Sequence, residues 1–188
     1  MISEQDKQTI LSILDKMTPQ EKFAFHSSGA YKVCEENNWG DPFVPGRSQE
    51  IAMANILGHT ISETVSGADA HDHDGPAEYK SCSPGVNSIS PKRFNAVYAG
   101  ISVFPTWEEQ LEYLDDKILG YKNHYHSRFK HGECQEIWVL DCQTVYDLLL
   151  PKLKKRYDNL KLNNRIKDPR MCANISKREI QRLGKKIF

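Results

Sequence analysis

Hydrophobic residues recur at helical spacing in the first part of the chain. A segment from Glu4 to Met17 places its apolar residues on one face and predicts a first helix. Those apolar residues are Ile10, Ile13, Leu14 and Met17. The sequence Thr18-Pro19-Gln20-Glu21 then forms a capping box with proline in the first turn, which predicts the start of a second helix.

The centre of the first half alternates between turn residues and apolar segments. Turn-forming residues from Asn37 to Gly46 predict a loop. The apolar positions that follow predict a third helix over Ser48–Thr64, ended by Gly67. Asp74-Gly75, within the turn sequence Asp72–Gly75, is typical of a tight connection between two antiparallel strands, so we expect a β-hairpin here.

Strands and helices also alternate in the second half. The expected elements are a strand at Asn95–Phe104, a helix beginning at a capping box at Thr106, a buried strand at Glu136–Asp141, a short helix at Thr144–Leu150 ended by Pro151, and a last short helix capped by Ser176. This order predicts a single domain over residues 1–188 of the α/β or α+β class.

Composition agrees with an ordinary globular domain. Hydrophobic residues make up 39% of the 188 and charged residues 27%. No apolar run approaches the roughly 20 residues of a membrane span, and the N-terminal sequence does not resemble a secretory signal. The five cysteines form no C-x-x-C pair, so we expect reduced thiols in a cytoplasmic protein without a membrane partner.

Charge is distributed unevenly along the chain. The region 152–188 contains 13 Lys or Arg against 3 Asp or Glu, whereas the remaining 151 residues contain 12 against 22. A net charge of zero therefore hides a basic C-terminal region. Such segregation favours a polyanionic partner for that region, and a solvated lysine-rich surface is the alternative.

The residues Asp69, Glu78 and Lys80 form the strongest candidate for chemistry. Residues two apart in a strand face the same side, so Glu78 and Lys80 project together. If Asp72–Gly75 closes a hairpin, Asp69 lies on the neighbouring strand and can approach Glu78. Two adjacent carboxylates repel each other unless a cation joins them. Hard oxygen ligands suit Mg²⁺ or Mn²⁺, and a lysine beside them can orient water and stabilise charge on a phosphate.

The arrangement resembles the active-site hairpin of the PD-(D/E)xK nuclease superfamily, which includes many type II restriction endonucleases. The resemblance rests on Gly-Ala-Asp-Ala at 67–70, a turn, and Glu-Tyr-Lys-Ser at 78–81, with Ala68 in the place of the proline. It implies that Asp69 and Glu78 bind the metal and that Lys80 is catalytic. It also implies a further glutamate on the preceding helix, for which Glu50 is the first choice and Glu63 the second.

The same resemblance implies a mixed central β-sheet flanked by helices, as in a restriction endonuclease-like core. The expected function is Mg²⁺-dependent hydrolysis of phosphodiester bonds in double-stranded DNA, by a sequence-specific type II restriction endonuclease acting as a homodimer; Mn²⁺ is expected to substitute. The alternatives are a structure-specific repair or recombination nuclease of the superfamily, and a non-catalytic DNA-binding protein.

Two groups of histidines allow other interpretations. His71 and His73, interleaved with Asp72 and Asp74, could bind a transition metal, although residues of one turn rarely converge on an ion. A second cluster could form a DNA-facing polar surface, but solvated loop or helix residues are the favoured interpretation. Its members are His124, His126 and His131, with Tyr121, Tyr125 and Arg128.

Overall fold

The computed structural model describes residues 3–63, 67–82, 95–101, 103–162 and 170–188. The helices are α1 (Glu4–Asp15), α2 (Pro19–Glu36), α3 (Arg47–Leu57), α4 (Trp107–Leu119), α5 (Cys142–Leu162) and α6 (Lys177–Leu183). The strands are β1 (Thr60–Ile61), β2 (Ala70–Asp72), β3 (Gly75–Cys82), β4 (Asn95–Ile101), β5 (Asn123–Lys130), β6 (Glu133–Asp141), β7 (Met171–Ser176) and β8 (Lys185–Lys186).

Capping boxes open the helices where the sequence predicts them. The side chain of Thr18 accepts a hydrogen bond from the backbone N–H of Glu21, and the Glu21 carboxylate accepts one from the backbone N–H of Thr18. The same reciprocal pair is present at Thr106 for α4 and at Ser176 for α6. Each box satisfies backbone donors that have no partner within the helix, which fixes where the helix begins.

The third helix is shorter than predicted. It ends at Leu57 because Gly58 adopts a left-handed conformation with φ +70°, and the chain then forms β1. The predicted extension to Thr64, with Gly67 as the terminator, is therefore wrong. Glycine reaches this conformation without a steric penalty, which makes it the common residue just after a helix.

The predicted hairpin is confirmed. Strands β2 and β3 pair antiparallel with Asp72 opposite Gly75, so His73 and Asp74 form a two-residue connection. Gly75 has a φ of +123°, a conformation that a residue with a side chain rarely adopts. The hairpin brings the predicted chemical residues within one short supersecondary unit.

A six-stranded mixed sheet, in the order β1-β2-β3-β5-β6-β8, forms the centre of the fold. All neighbouring strands of this sheet pair antiparallel except β3 and β5, which are parallel and are separated in sequence by β4 and α4. Strands β4 and β7 form a second, two-stranded antiparallel sheet. A mixed sheet flanked by helices was predicted, and the structure confirms that fold class.

Two apolar clusters form the core. One contains Met53 and Ala54 of α3 and aromatic residues of β3 and β5, including Tyr79 and Phe129. The other joins α4, α5 and α6 with β6 and β7. None of the described helices combines the length and the apolar character needed to cross a bilayer, and the five cysteines, all within the described ranges, form no disulfide.

Two predictions in the second half are wrong. The residues 123–130 form strand β5, with His124 and His126 fully buried, instead of a solvated loop or helix. The helix predicted at Thr144–Leu150 runs instead from Cys142 to Leu162 and includes Pro151. Its apolar residues Leu149 and Leu153 are both buried, so packing outweighs the backbone hydrogen bond that proline cannot donate.

Candidate active site

Asp69 immediately precedes β2 and is fixed by its backbone and its side chain. Its N–H donates to the carbonyl of Ala77 at 3.1 Å, and its carbonyl accepts from the N–H of Ser62 at 3.1 Å. Its Oδ2 atom accepts the backbone N–H of Tyr79 at 2.7 Å. The carboxylate of Asp69 is therefore attached to the strand that carries Glu78 and Lys80.

Glu78 and Lys80 project together from β3, as the strand period predicts. Their neighbours Ala77 and Tyr79 are buried in the cluster beneath α3, which leaves Glu78 and Lys80 on the opposite face. The Lys80 ammonium forms an ion pair with Oε1 of Glu78. The same ammonium lies 5.3 Å from the ring centroid of Tyr98, within the range of a cation–π contact.

Glu50 reaches the site from the first half of α3. Its Oε2 atom accepts from Nη1 of Arg47 at 3.1 Å, and Arg47 is only 1% exposed. The Arg47 guanidinium also donates to the carbonyl of Trp39 at 2.6 Å and to the carbonyl of Ser62. These bonds hold α3 against the loop before it and the segment that leads to Asp69.

The electrostatics of the site show that these groups act on one another. Burial, followed by the charge of Glu78, raises the pKa of Asp69 to about 6. Burial and then the charge of Asp69 raise the pKa of Glu50, against an opposing effect from Arg47. Lys80 favours the charged form of both carboxylates. The structure thus holds negative groups where their mutual repulsion costs free energy.

The second-choice glutamate, Glu63, lies elsewhere. It is exposed, and it follows β1 instead of belonging to α3. It lines a surface groove together with Asn37 and Trp39. The structure places Glu50, and not Glu63, on the helix before the hairpin.

Strand β5 adds residues to the site that the sequence did not indicate. In the parallel register, His124 lies beside Glu78 and His126 beside Lys80. The ring of Tyr98 lies 5.8 Å from the ring of His124 and 6.3 Å from that of His126. The alternation of histidine with Tyr125 and Ser127 was the available signal, because a period of two is typical of a strand.

The possible turn-centred metal site has a competing explanation. Ligand atoms of Asp72, His73 and Asp74 lie within 4.8 Å of one another, and among the described ranges this is the only such group of three acidic, histidine or cysteine residues. Oδ2 of Asp72 accepts hydrogen bonds from Asn123 at 2.8 Å and Tyr125 at 2.7 Å. Although burial acts to raise it, these bonds lower the pKa of Asp72 below its usual value. The turn is therefore held to β5 by direct hydrogen bonds.

The carboxylates of the main site are more widely spaced than the ligand atoms of the turn. Glu50, Asp69 and Glu78 do not place their oxygens all within 4.8 Å of one another, while Lys80 occupies an oxygen of Glu78. The carboxylates interact electrostatically but are arranged around a lysine.

The basic C-terminal region is partly engaged within the protein. Lys152 donates to the carboxylate of Glu179 and to the carbonyl of Asn174. Lys154 forms an ion pair with Asp158 at 2.5 Å and lies over the ring of Trp107. Cations with exposed side chains on α5 and α6 include Lys155, Lys161, Arg178 and Arg182. Only part of the charge excess is therefore presented to solvent.

Comparisons with known proteins leave the family open. No protein-family model matches the chain, and no curated protein matches it in sequence.

Proposed function

We propose that this protein is a cytoplasmic, Mg²⁺-dependent endonuclease that hydrolyses phosphodiester bonds in double-stranded DNA. The observation that carries the proposal is the meeting of Glu50, Asp69, Glu78 and Lys80 at one place, from a helix and a hairpin. The resemblance of this hairpin to PD-(D/E)xK nucleases supports the assignment. A sequence-specific restriction endonuclease is the form of the function that we favour.

The chemistry of the donor set suits a hard divalent cation, although the oxygens of Glu50, Asp69 and Glu78 do not all lie within 4.8 Å of one another. Asp69, Glu78 and Glu50 would hold the ion through carboxylate oxygens, the ligands that Mg²⁺ and Mn²⁺ prefer. The raised pKa of Asp69 reflects burial and repulsion that a bound cation would relieve. When bound, the metal would lower the pKa of a water molecule and neutralise charge that develops on the phosphate.

Lys80 supplies the remaining function from the protein itself. Its ammonium can donate hydrogen bonds to an attacking water and to a phosphate oxygen, which positions one and stabilises charge on the other. Arg47 has a structural part, because its guanidinium fixes the Glu50 carboxylate to the segment before Asp69. The proposed site therefore combines acidic metal ligands with a lysine placed among them.

A symmetric DNA substrate suggests a two-fold symmetric protein, and helices α1 and α2 offer the surface for it. Helix α1 buries none of its residues, and an isolated helix of this length is only marginally stable in water. The exposed apolar side chains on the two helices are Ile10, Leu11, Ile13, Phe23, Phe25, Tyr31 and Val33.

The occupant that we propose for this surface is a second copy of the chain. The two helices carry three lysines and six carboxylates, so a symmetric pair can place unlike charges opposite one another around the apolar side chains. Phe23→Lys should convert a dimer into a monomer in sedimentation equilibrium, whereas an unchanged mass would place the dimer interface elsewhere.

The decisive experiment is incubation with DNA. Plasmid and genomic DNA of varied sequence should be cut in MgCl₂, remain intact in EDTA, and remain intact with Asp69→Asn. Sequencing of the ends should reveal one recurring site for a restriction enzyme. Cutting confined to branched or flapped DNA would favour a structure-specific nuclease of the same superfamily. Tight binding of DNA with no cutting under any metal would refute the catalytic proposal and favour a DNA-binding protein.

A further inference from the structure

A fully buried histidine beside the proposed catalytic lysine has unused hydrogen-bonding capacity. His126 is 0% exposed, and within the described part of the chain neither ring nitrogen has a hydrogen-bond partner. An unsatisfied buried polar group costs about 1–3 kcal/mol. Burial, together with His124 and Lys80, lowers the pKa of His126 to about 3, so the ring is neutral. A neutral imidazole always offers one nitrogen as an acceptor.

Its neighbour His124 provides a direct contrast. Nε2 of His124 lies 2.9 Å from the carbonyl of Ile118, which can only accept, so Nε2 carries the proton. Nδ1 must then accept the hydroxyl of Tyr98 at 3.1 Å. Both nitrogens of His124 are used, and the hydroxyl proton of Tyr98 is committed to it. Tyr98 therefore does not donate this proton to His126.

Lys80 lies next to His126 in the sheet. The two residues are partners in the parallel pairing of β3 and β5, so their side chains lie side by side on one face. The ring of Tyr98 contacts both, at 5.3 Å from the Lys80 ammonium and 6.3 Å from the His126 ring. The Lys80 side chain itself is partly buried, with 23% of its surface exposed.

The present partner of Lys80 is also one of the proposed metal ligands. The ammonium is paired with Oε1 of Glu78, and a cation bound by Glu78 would compete with it for that carboxylate and repel it. Lys80 must then find another acceptor close to the same position. His126 offers an acceptor in the neighbouring position of the sheet.

We propose that His126 is a positioning residue that accepts a hydrogen bond from Lys80 when a divalent cation takes Glu78. The inference rests on the proposed function. It gives a role to a buried imidazole whose two nitrogens have no hydrogen-bond partner among the described residues. It also gives Lys80 two defined positions, one on Glu78 and one on His126, with the second required for catalysis.

The test is the ¹⁵N signal of the histidine ring nitrogens, measured without DNA while MgCl₂ or CaCl₂ is added. Hydrogen bonding moves the unprotonated nitrogen of a neutral imidazole upfield, so the His126 signal should move and that of His124 should not. Glu78→Gln should produce the His126 shift without metal, because an amide holds the ammonium less strongly than a carboxylate. Lys80→Met should abolish the shift in every condition.

Two substitutions at His126 distinguish a role as hydrogen-bond acceptor from a role in side-chain packing. Glutamine retains an acceptor oxygen and leucine does not, so calorimetry should find Mg²⁺ binding within about threefold of the parent for His126→Gln and about tenfold weaker for His126→Leu. If Mg²⁺ shifts signals around Asp69 while His126 stays unchanged, the inference is wrong and the metal site stands. If Mg²⁺ shifts no signal in the protein, both the inference and the proposed function are overturned.

Discussion

The partly buried carboxylate of Asp69 should make the protein less stable, in the presence of a chelator, than a variant that lacks the charge. Asparagine is close in size and can still accept the N–H of Tyr79 through its amide oxygen. The substitution Asp69→Asn therefore removes the charge and retains the hydrogen bond. We expect the variant to be the more stable protein at pH 8 in a chelator.

The size of the effect follows from the pKa of Asp69. Folding raises this pKa from its ordinary value of 3.8 to about 6, so the folded state holds a proton more tightly than the unfolded state. The group is neutral in both states at low pH, and its ionisation destabilises the fold as the pH rises through 3.8 to about 6. The full penalty is about 3 kcal/mol at 1.36 kcal/mol per pKa unit. Partial solvation of the carboxylate and its interaction with Glu78 reduce this penalty to about 1.5–2.5 kcal/mol.

Urea unfolding at pH 4 and pH 8 in EDTA measures this difference. Asp69→Asn should unfold at a higher urea concentration at pH 8, and the gap should shrink to below about 0.5 kcal/mol near pH 4. Asp116→Asn, an exposed site on α4, is the control and should change stability by no more than about 0.5 kcal/mol at either pH. Added MgCl₂ should stabilise the parent and not the variant, because a bound ligand stabilises the folded state.

An equal or lower stability of Asp69→Asn at pH 8 would refute the reasoning. It would mean that the site compensates the charge of Asp69 fully through Lys80, Arg47 and the Tyr79 amide. If the two proteins differ in free energy of unfolding by the same amount at pH 4 and pH 8, the difference would instead come from packing, because only the ionisation of Asp69 would make it change with pH.

Four further predictions concern activity, metal, DNA and stability. Lys80→Ala should leave DNA affinity nearly unchanged in a filter-binding assay. It should reduce the rate of single-turnover cleavage by at least about 100-fold, because a hydrogen-bond donor to the transition state is lost. Normal cleavage by this variant would remove Lys80 from the mechanism. CaCl₂ should support DNA binding in gel-shift assays without cutting, and Mn²⁺ should restore cutting; products formed in EDTA would contradict metal dependence. We expect a triple variant to depend less on salt when it binds DNA; its changes are Lys155→Glu, Arg178→Glu and Arg182→Glu. The slope of log affinity against log salt concentration should decrease in magnitude by about 0.9 for each lost phosphate contact. An unchanged slope would show that DNA binds to another surface of the protein. Pro151→Ala should raise the free energy of unfolding by up to about 3 kcal/mol, since alanine suits a helix interior better than proline; a loss of stability in urea would show that α5 needs its local bend.

Local signals predicted much of the fold and of the site. A capping box is a chemical pairing between residues three apart, so those at Thr18 and Thr106 could be identified from sequence alone. The Asp74-Gly75 signal indicated the hairpin, whose two turn residues are His73 and Asp74, and the strand period places Glu78 and Lys80 on one face of β3. Gly58 was also a readable signal, because glycine after a helix is a common terminator.

The features that the sequence did not indicate depend on contacts between residues far apart in the chain. Histidines are usually not fully buried, so β5 looked solvated until its pairing with β3 placed His124 and His126 in the interior. Pro151 usually ends a helix, and only the burial of its neighbours explains why α5 continues. The pairing of Lys152 with Glu179 across 27 positions likewise shows that a charge count overstates the cations available to DNA.

The ends of the six-stranded sheet have a consequence for self-association. Both outer strands, β1 and β8, are only two residues long, and β8 consists of Lys185 and Lys186. Short, lysine-bearing outer strands are poor templates for the pairing of sheets between molecules. Strand β8 covers part of β6, and the terminal residue Phe188 accepts the N–H of Ile137. Removal of the last five residues would therefore uncover the main chain of an apolar strand, and such a truncated protein should aggregate during refolding where the intact chain stays in solution.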